Sequence, residues 1–219
     1  MKTVSFRRNL AVGVILFFIE ALIGFSLAYG AVIYVDDDNT SGPWDGTAEH
    51  PYQYIQDGID AAASFDTVFV LNGLYYENVL VDKPIDLDGE NNSNTIIDAG
   101  NTGIGVHVTS DSAKVSGFTI RNGGDYYPDA GILVDSSNYV TVSKNIVRDN
   151  DFHGIVMRGC SLNLISWNTV AQNNRIGIYV QHSTPNTVSW NTITANSWGM
   201  DIDRSDNNEV FANAIIGNS

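Results

Sequence analysis

The feature that most constrains the fold of this chain is a repeat with a period of about 23 residues in its second half. One asparagine recurs at the same place in four similar segments, at Asn145, Asn168, Asn191 and Asn213. A glycine column and a second asparagine column share the period: Gly131, Gly154, Gly177 and Gly199, and Asn150, Asn173, Asn196 and Asn218. A fixed period of this length predicts a stack of equivalent units.

Each repeat carries the apolar pattern of short strands. Every column glycine opens a Gly-apolar-x-apolar pattern, as in "GIVM" and "GIYV". Two more apolar columns follow in each repeat: Val142, Ile165, Val188 and Val210, and then Val147, Val170, Ile193 and Ile215. Apolar residues two positions apart are typical of strands, and the intervening asparagines and glycines supply bends. The pattern predicts an all-β, right-handed parallel β-helix with three short strands per turn.

In such a coil, equivalent residues of successive turns lie about 4.8 Å apart, which is the strand spacing. The asparagine columns therefore become ladders. We expect Asn145, Asn168, Asn191 and Asn213 to hydrogen-bond amide to amide and to satisfy backbone groups at the turns. These columns are assigned to architecture rather than to ligand binding.

The N-terminal segment 1–30 has a different composition. Lys2, Arg7 and Arg8 precede an apolar stretch that only Glu20 interrupts. This pattern predicts a signal peptide cleaved near its end, or an uncleaved N-terminal membrane anchor. Both alternatives place the rest of the chain outside the cytoplasm, in an extracellular or cell-surface location, and limit membrane contact to this segment.

Residues 31–65 are expected to form an N-terminal strand, an acidic loop and a capping helix. The helix is predicted over 51–66, with Pro51 at its start and Ile55, Ile59 and Ala62 on one side. The β-helix itself is expected over 66–219. Because the chain stops directly after a complete ladder motif, we expect this end to be incomplete or covered by a stacking partner.

Charge and cysteine content restrict the partners. The chain has 25 acidic against 11 basic residues and a net charge of −14, which argues against nucleic acid as a partner. Cys160 is the single cysteine, so no intramolecular disulfide can form and the stack itself must provide the stability.

Two groups of segments resemble known proteins. The stretches "YIQDGIDAA" (54–62) and "DTVFVLNGLYYENVLVDKPIDLDGENNSNTIID" (66–98) closely resemble the opening of pectin-lyase-like right-handed β-helix proteins. The segment "VSGFTIRNG" and the repeats of the "NTVSWNTI" type are similar to the NosD family, also described as carbohydrate-binding and sugar-hydrolase repeats. The resemblance covers 32–219 and implies the fold. Its members include lyases, glycosidases and a copper accessory factor, so it selects no single activity.

The outward positions of the Gly-apolar-x-apolar strand form the main candidate for ligand binding. Adjacent coils would display these residues on one face: Asp135, Arg158, Tyr179, Gln181 and His182. An insertion at 122–131 lengthens one period and adds Tyr126 and Tyr127. Carboxylate, guanidinium, amide and aromatic groups together suit the hydroxyls and apolar face of a sugar. The alternative is that Arg158 only forms a cross-strand ion pair with Asp135.

Two further outward pairs are candidates for carbohydrate chemistry. Asp201 and Asp203 share one strand face about 6–7 Å apart, a separation that a glycosidase carboxylate pair could use. Trp167 and Trp190 are one period apart and are expected to face outward together, either as a packing surface or as a carbohydrate platform.

Metal binding has two candidate locations. The loop "DDDNTSGPWDGT" concentrates hard oxygen ligands that could hold calcium: Asp36, Asp37, Asp38 and Asp45. The spacing of Cys160 and His182 is close to one period, and with Met157 and His153 nearby they offer soft ligands that copper would accept.

The sequence therefore predicts an exported protein that acts as a structural module or contacts a polysaccharide or surface glycan. No cofactor is required by this interpretation, and calcium is the candidate ion. A polysaccharide lyase or glycoside hydrolase that uses the same face is one alternative. A NosD-like metal-handling accessory protein is the other. The residues leave the question of catalysis open.

Overall fold

The computed structural model describes residues 30–219, so the predicted signal peptide or anchor lies outside the described residues apart from Gly30. Within 30–219 no helix is long and apolar enough to cross a membrane. The chain winds as a parallel β-solenoid with three strands per turn, as predicted, and its strands form three sheets.

We name the sheets A, B and C. Sheet A has eight strands: β1 (Val32–Val35), β2 (Thr67–Val70), β5 (Asp86–Gly89), β8 (Lys114–Ser116), β11 (Thr141–Ser143), β14 (Leu164–Ser166), β17 (Thr187–Ser189) and β20 (Glu209–Phe211). Sheet B has seven: β3 (Gly73–Tyr75), β6 (Thr95–Asp98), β9 (Thr119–Arg121), β12 (Ile146–Arg148), β15 (Thr169–Ala171), β18 (Thr192–Thr194) and β21 (Ala214–Ile216). Sheet C has six: β4 (Val79–Val81), β7 (Val106–Val108), β10 (Ala130–Asp135), β13 (His153–Arg158), β16 (Ile176–Gln181) and β19 (Trp198–Asp203).

The register confirms the period read from the sequence. Ile165 pairs with Val188 in sheet A, and every described strand pair is parallel. Val142 pairs with Val115 across the lengthened period, so the insertion at 122–131 leaves the stack without disturbing the register. Equivalent residues of successive turns are therefore direct neighbours.

The core consists of the apolar side chains that point inward from the strands of all three sheets. Ile132, Ile155 and Ile178 are fully buried, and each such side chain contributes about 1.5–3 kcal/mol by leaving water. The last turn differs, because Val210 and Ile215 are 41% and 47% exposed where their partners one turn earlier are buried. A stacking partner at this end stays a prediction.

Asparagine ladders line the corners, as the sequence predicted. The Asn168 amide oxygen accepts the backbone N–H of Asn145 at 3.0 Å, and its Nδ2 donates to Asn191 Oδ1 at 3.0 Å and to the Val142 carbonyl at 3.0 Å. The column that begins at Asn150 bonds in the same way. A third ladder, which the sequence analysis missed, runs through Asn163, Asn186 and Asn208.

The capping helix is shorter than predicted. Helix α1 spans Ile55–Ala61, not 51–66, because Tyr52 is extended and bridges to Val35 of β1. Pro51 therefore does not start the helix. The carboxylate of Glu77 accepts the free N–H groups at the helix start, including that of Ile55 at 2.8 Å. Ile55, Ile59 and Ala62 are buried in the first coil, as the sequence predicted.

Candidate functional site

The outer face of sheet C brings together side chains from four consecutive turns. Strands β10, β13, β16 and β19 are the longest in the solenoid, with six residues each. Their register places Arg158 between Asp135 and Gln181, and Gln181 beside Asp203. Side chains that are one period apart in sequence therefore lie side by side.

An ion pair lies on this face where β10 adjoins β13. Arg158 Nε donates to Asp135 Oδ1 at 3.1 Å, and its Nη2 donates to Oδ2 of the same carboxylate. These hydrogen bonds hold the pKa of Asp135 below its ordinary value, although partial burial acts in the opposite direction. The His107 Nε2 lies 3.8 Å from Asp135 Oδ2 without a hydrogen bond. Asp135 is therefore a charged, occupied group.

A chain of hydrogen bonds runs from the inserted loop to strands β16 and β19. Tyr127 donates its hydroxyl to Gln181 Oε1 at 2.5 Å, so residue 127 reaches a strand two turns further along. Gln181 Nε2 donates to the Tyr179 hydroxyl at 2.9 Å, which itself lies 3.5 Å from Asp203 Oδ2. Burial raises the pKa of Tyr179, and the neighbouring aspartates add to the shift. The hydroxyl consequently stays protonated and can donate.

Beside this chain lies a cavity of about 450 Å³ at the starting end of the same strands. Its described lining consists of Tyr127, Phe152, His153, Asn174, Arg175, Ile176, Tyr179, Ser197 and Trp198. Most of these residues were missed by the sequence analysis. The available signal was the column of His153, Ile176 and Trp198, which precedes the glycine column and pairs across β13, β16 and β19.

His153 is a neutral part of the cavity wall. Its side chain is 4% exposed, and Nδ1 accepts the backbone N–H of Ile176 at 3.3 Å. Burial lowers the pKa of His153 to about 4, and the nearby charge of Arg175 contributes to the shift. The hydrogen bond to Nδ1 places the proton of the neutral ring on Nε2. The imidazole packs 5.3 Å from the Tyr179 ring.

Part of the outer face is apolar and closed to solvent. Leu133 and Val156 point away from the core, yet they are 1% and 0% exposed. They pack with Ala130 and with the partly buried Ile104 and Tyr179 in a second, smaller cluster. The neighbouring polar groups of this face therefore lie beside a tightly packed apolar cluster.

The remaining residues proposed from the sequence lie outside the cavity. Tyr126 is 76% exposed on the inserted loop and does not line the cavity, unlike its neighbour Tyr127. His182 lies at the corner after β16, where its Nε2 is 3.5 Å from the Arg204 guanidinium. Asp201 pairs in register with Tyr179, and neither Asp201 nor Asp203 is among the described residues that line the cavity.

The acidic loop uses its carboxylates within the protein. Asp37 Oδ2 accepts the backbone N–H of Leu74 at 2.9 Å, and Asp36 Oδ1 accepts that of Asp38 at 3.1 Å. Asp45 Oδ1 accepts both the backbone N–H and the hydroxyl of Thr47. In the part of the chain from 30 to 219, no three His, Cys, Asp or Glu side chains converge as a metal site would require. The calcium site stays a prediction.

The soft ligands proposed for copper do not come together. Cys160 is buried in a column that otherwise consists of serines. Its backbone N–H donates to Ser183 Oγ, so Cys160 aligns with Ser183 and not with His182. Its thiol donates to the Arg158 carbonyl at 3.1 Å, and burial raises its pKa. Met157 is fully buried in the core, and His153 lies at the other end of β13. The spacing of Cys160 and His182 therefore does not bring the two side chains together, because the period at this corner is one residue longer than that spacing.

The two exposed tryptophans stack on each other at the corner between sheets A and B. The rings of Trp167 and Trp190 are 5.1 Å apart and within 4° of parallel. They are 59% and 50% exposed, which confirms that they face outward together.

This fold and this face define a right-handed parallel β-helix protein with one aromatic and polar surface on sheet C. Residues 59–219 match the family model described as "Periplasmic copper-binding protein (NosD)", and the chain belongs to the NosD family. The soft ligands that the sequence offered for copper, Cys160, Met157 and His153, do not converge, and within residues 30–219 no three His, Cys, Asp or Glu side chains form a group that could hold a metal ion. No curated protein sequence matches the chain.

Several solved structures are similar in fold. Pectin methylesterase from carrot is 15% identical, with 87% of this chain and 84% of that chain covered and a TM-score of 0.47. A pectin methylesterase in complex with a hexasaccharide is 10% identical, with coverage of 84% and 81% and a TM-score of 0.47. A rhamnogalacturonan lyase is 12% identical, with coverage of 84% and 62% and the same TM-score.

Proposed function

We propose that this NosD-family chain is an exported carbohydrate-binding protein whose site is the cavity and hydrogen-bond chain on the outer face of sheet C. The observation that carries the proposal is the position of the cavity, whose aromatic wall adjoins the polar chain of Tyr127, Gln181 and Tyr179.

The chemistry of the wall matches the two sides of a sugar ring. A pyranose presents an apolar C–H face, which packs against flat aromatic side chains such as Trp198 and Tyr179. Its hydroxyls both donate and accept hydrogen bonds, so they need partners of both kinds. The amides of Asn174 and Gln181 and the tyrosine hydroxyls supply both.

The same residues favour binding over cleavage. Glycosidases use two carboxyl groups on either side of the scissile bond, one of them with a raised pKa. None of the described residues that line the cavity is an aspartate or glutamate. Asp135, a partly buried carboxylate on this face, is paired with Arg158 and has a lowered pKa, which suits no general acid. Asp201 and Asp203 lie nearby on β19 but do not line the cavity.

Export is supported by two observations. The basic residues and long apolar stretch at the N-terminus have the pattern of a signal peptide or anchor. The family model is described as periplasmic. An exported protein meets polysaccharides and surface glycans directly.

The test is calorimetric titration of the protein with a panel of neutral and acidic tetrasaccharides. We expect saturable binding of at least one sugar without release of products. Trp198→Ala should weaken it by about tenfold, since aromatic contacts of this kind are worth roughly 1–2 kcal/mol. Trp198 is 61% exposed, so its removal should leave the fold intact, which circular dichroism verifies.

The matched control is Trp190→Ala, which removes an equally large exposed tryptophan on the far side of the solenoid. It should leave sugar affinity unchanged. Absence of saturable binding across the panel, or equal losses in the two variants, would refute the proposed site.

A further inference from the structure

The cavity on sheet C has an unusual charge for this protein. The chain has 25 acidic and 11 basic residues, yet the one charged side chain among the described lining residues is Arg175. His153 is neutral because burial lowers its pKa to about 4. The wall therefore carries one positive charge and no negative charge at neutral pH.

Arg175 also differs from the other arginines between residues 30 and 219. Each of those forms an ion pair with an aspartate: Arg121 with Asp98, Arg148 with Asp149, Arg158 with Asp135 and Arg204 with Asp203. Arg175 has no described carboxylate within 4.0 Å. Asp151, on the neighbouring turn, is instead bonded to the amide of Asn174 at 3.1 Å.

The guanidinium of Arg175 is held at the cavity by its surroundings. Its central carbon lies 5.1 Å from the centroid of the Phe152 ring, within the range of a cation–π contact. Its backbone N–H donates to the Phe152 carbonyl at 2.8 Å, and its own carbonyl accepts the N–H of Trp198 at 3.0 Å. The aromatic ring covers the guanidinium without neutralising it, so its N–H donors stay available to a ligand.

We infer that the cavity takes a sugar bearing a carboxylate, a hexuronate, whose carboxylate pairs with Arg175 while its ring packs against the aromatic wall. This inference rests on the proposed carbohydrate-binding function and specifies its ligand. A guanidinium is the side chain best matched to a planar carboxylate, because it donates two parallel hydrogen bonds.

The overall negative charge does not prevent this pairing. At 0.15 M salt, exposed charges more than about 8 Å apart are largely screened. Acidic groups on the far sheets consequently have little influence. Asp151 and Asp203 are nearer, but Asp151 accepts a hydrogen bond from Asn174 and Asp203 faces the Tyr179 hydroxyl, and neither lines the cavity. The preference is therefore set by the groups that line the cavity. Among them only Arg175 is charged.

The experiment compares three tetrasaccharides that are identical except at C6, which bears a hydroxymethyl group, a carboxylate or the carboxylate methyl ester. Calorimetry with the whole protein at neutral pH and 0.15 M salt gives the three affinities. We expect the carboxylate form to bind about fivefold more tightly than the other two, a modest factor because Arg175 is exposed. Arg175→Gln should abolish this preference by lowering the affinity for the carboxylate form to that for the neutral sugar.

Arg148→Gln is the control, since it removes one partly exposed arginine on sheet B, away from the cavity, and should leave the preference at about fivefold. Thermal melting checks that both variants are folded. Equal binding of the three sugars by the unmodified protein would overturn the inference and leave the proposed function standing. Binding of none of them would count against the proposed function itself. A uniform loss for all three sugars in Arg175→Gln would also overturn the inference.

Discussion

The corner ladders and the outer face of sheet C follow the same period but use it in opposite ways. At the corners one residue type recurs on every turn, as in Asn145, Asn168 and Asn191, and each copy makes the same bonds. On sheet C the equivalent column changes from Asp135 to Arg158 to Gln181. Constant columns hold the coil together, and a variable column makes a surface that differs from turn to turn.

We expect an asparagine in the ladder to contribute far more to stability than an asparagine on the variable face. Asn168→Ala should lower the free energy of unfolding by about 4 kcal/mol, because it leaves the backbone N–H of Asn145 and the carbonyl of Val142 buried without partners. Urea denaturation measures the loss. Asn174→Ala, which removes an exposed asparagine, should cost less than about 1 kcal/mol. Similar losses in the two variants would contradict the assignment of the ladder.

A side chain added in the glycine column is expected to destabilise the protein almost as much as the loss of a ladder asparagine. A Cβ on Gly154 would lie 2.5 Å from the Gly177 carbonyl oxygen and 2.6 Å from Val170 Cγ1, both held in the stack. Gly154→Ala should therefore destabilise the protein by about 3 kcal/mol in the same urea assay. At Gly100 the space is open, so Gly100→Ala should cost only about 1 kcal/mol from its left-handed backbone. The reverse order would show that the glycine column does not limit packing.

The smallest effect is expected for the ion pair on sheet C. Because Arg158 lowers the pKa of Asp135 in the folded state, the pair stabilises the protein above the unfolded pKa near 4 and loses this contribution as the pH falls through the folded pKa. Asp135→Asn should cost about 1 kcal/mol at pH 7 and progressively less below pH 4. Unfolding free energies at pH 7 and pH 3 measure this difference. A cost that does not change with pH would mean that charge pairing contributes nothing here.

The features that could be predicted from the sequence belong to the constant columns, and most of those that could not lie on the variable face of sheet C. Columns of identical residues made the solenoid, the three strands per turn and the Asn145 ladder predictable, because one period forces one register. The ladder of Asn163 and Asn186 was overlooked although it has the same period. The capping helix was predicted too long, since the apolar spacing around Ile55 does not show that Tyr52 bridges to β1.

The cavity was harder to predict, for physical reasons. Phe152 and Arg175 differ from the residues on neighbouring turns, and the column of His153, Ile176 and Trp198 changes residue type at every turn, so no repeated residue marks the cavity. The period also shortens by one position beside Ser197, which shifts the alignment at that edge. Above all, the loop at 122–131 has no counterpart in other turns. Only the three-dimensional structure shows that Tyr127 crosses the face to reach Gln181.

The variable face of sheet C, and not the constant corners, is the surface that we expect to receive the ligand. Amide chemical-shift mapping during titration with the acidic tetrasaccharide distinguishes these two surfaces. We expect perturbed signals to cluster at Phe152, Arg175, Tyr179 and Trp198, with little change at the Asn168 ladder or the Trp167–Trp190 stack. Perturbations centred on that tryptophan stack, or spread evenly around the solenoid, would contradict this expectation.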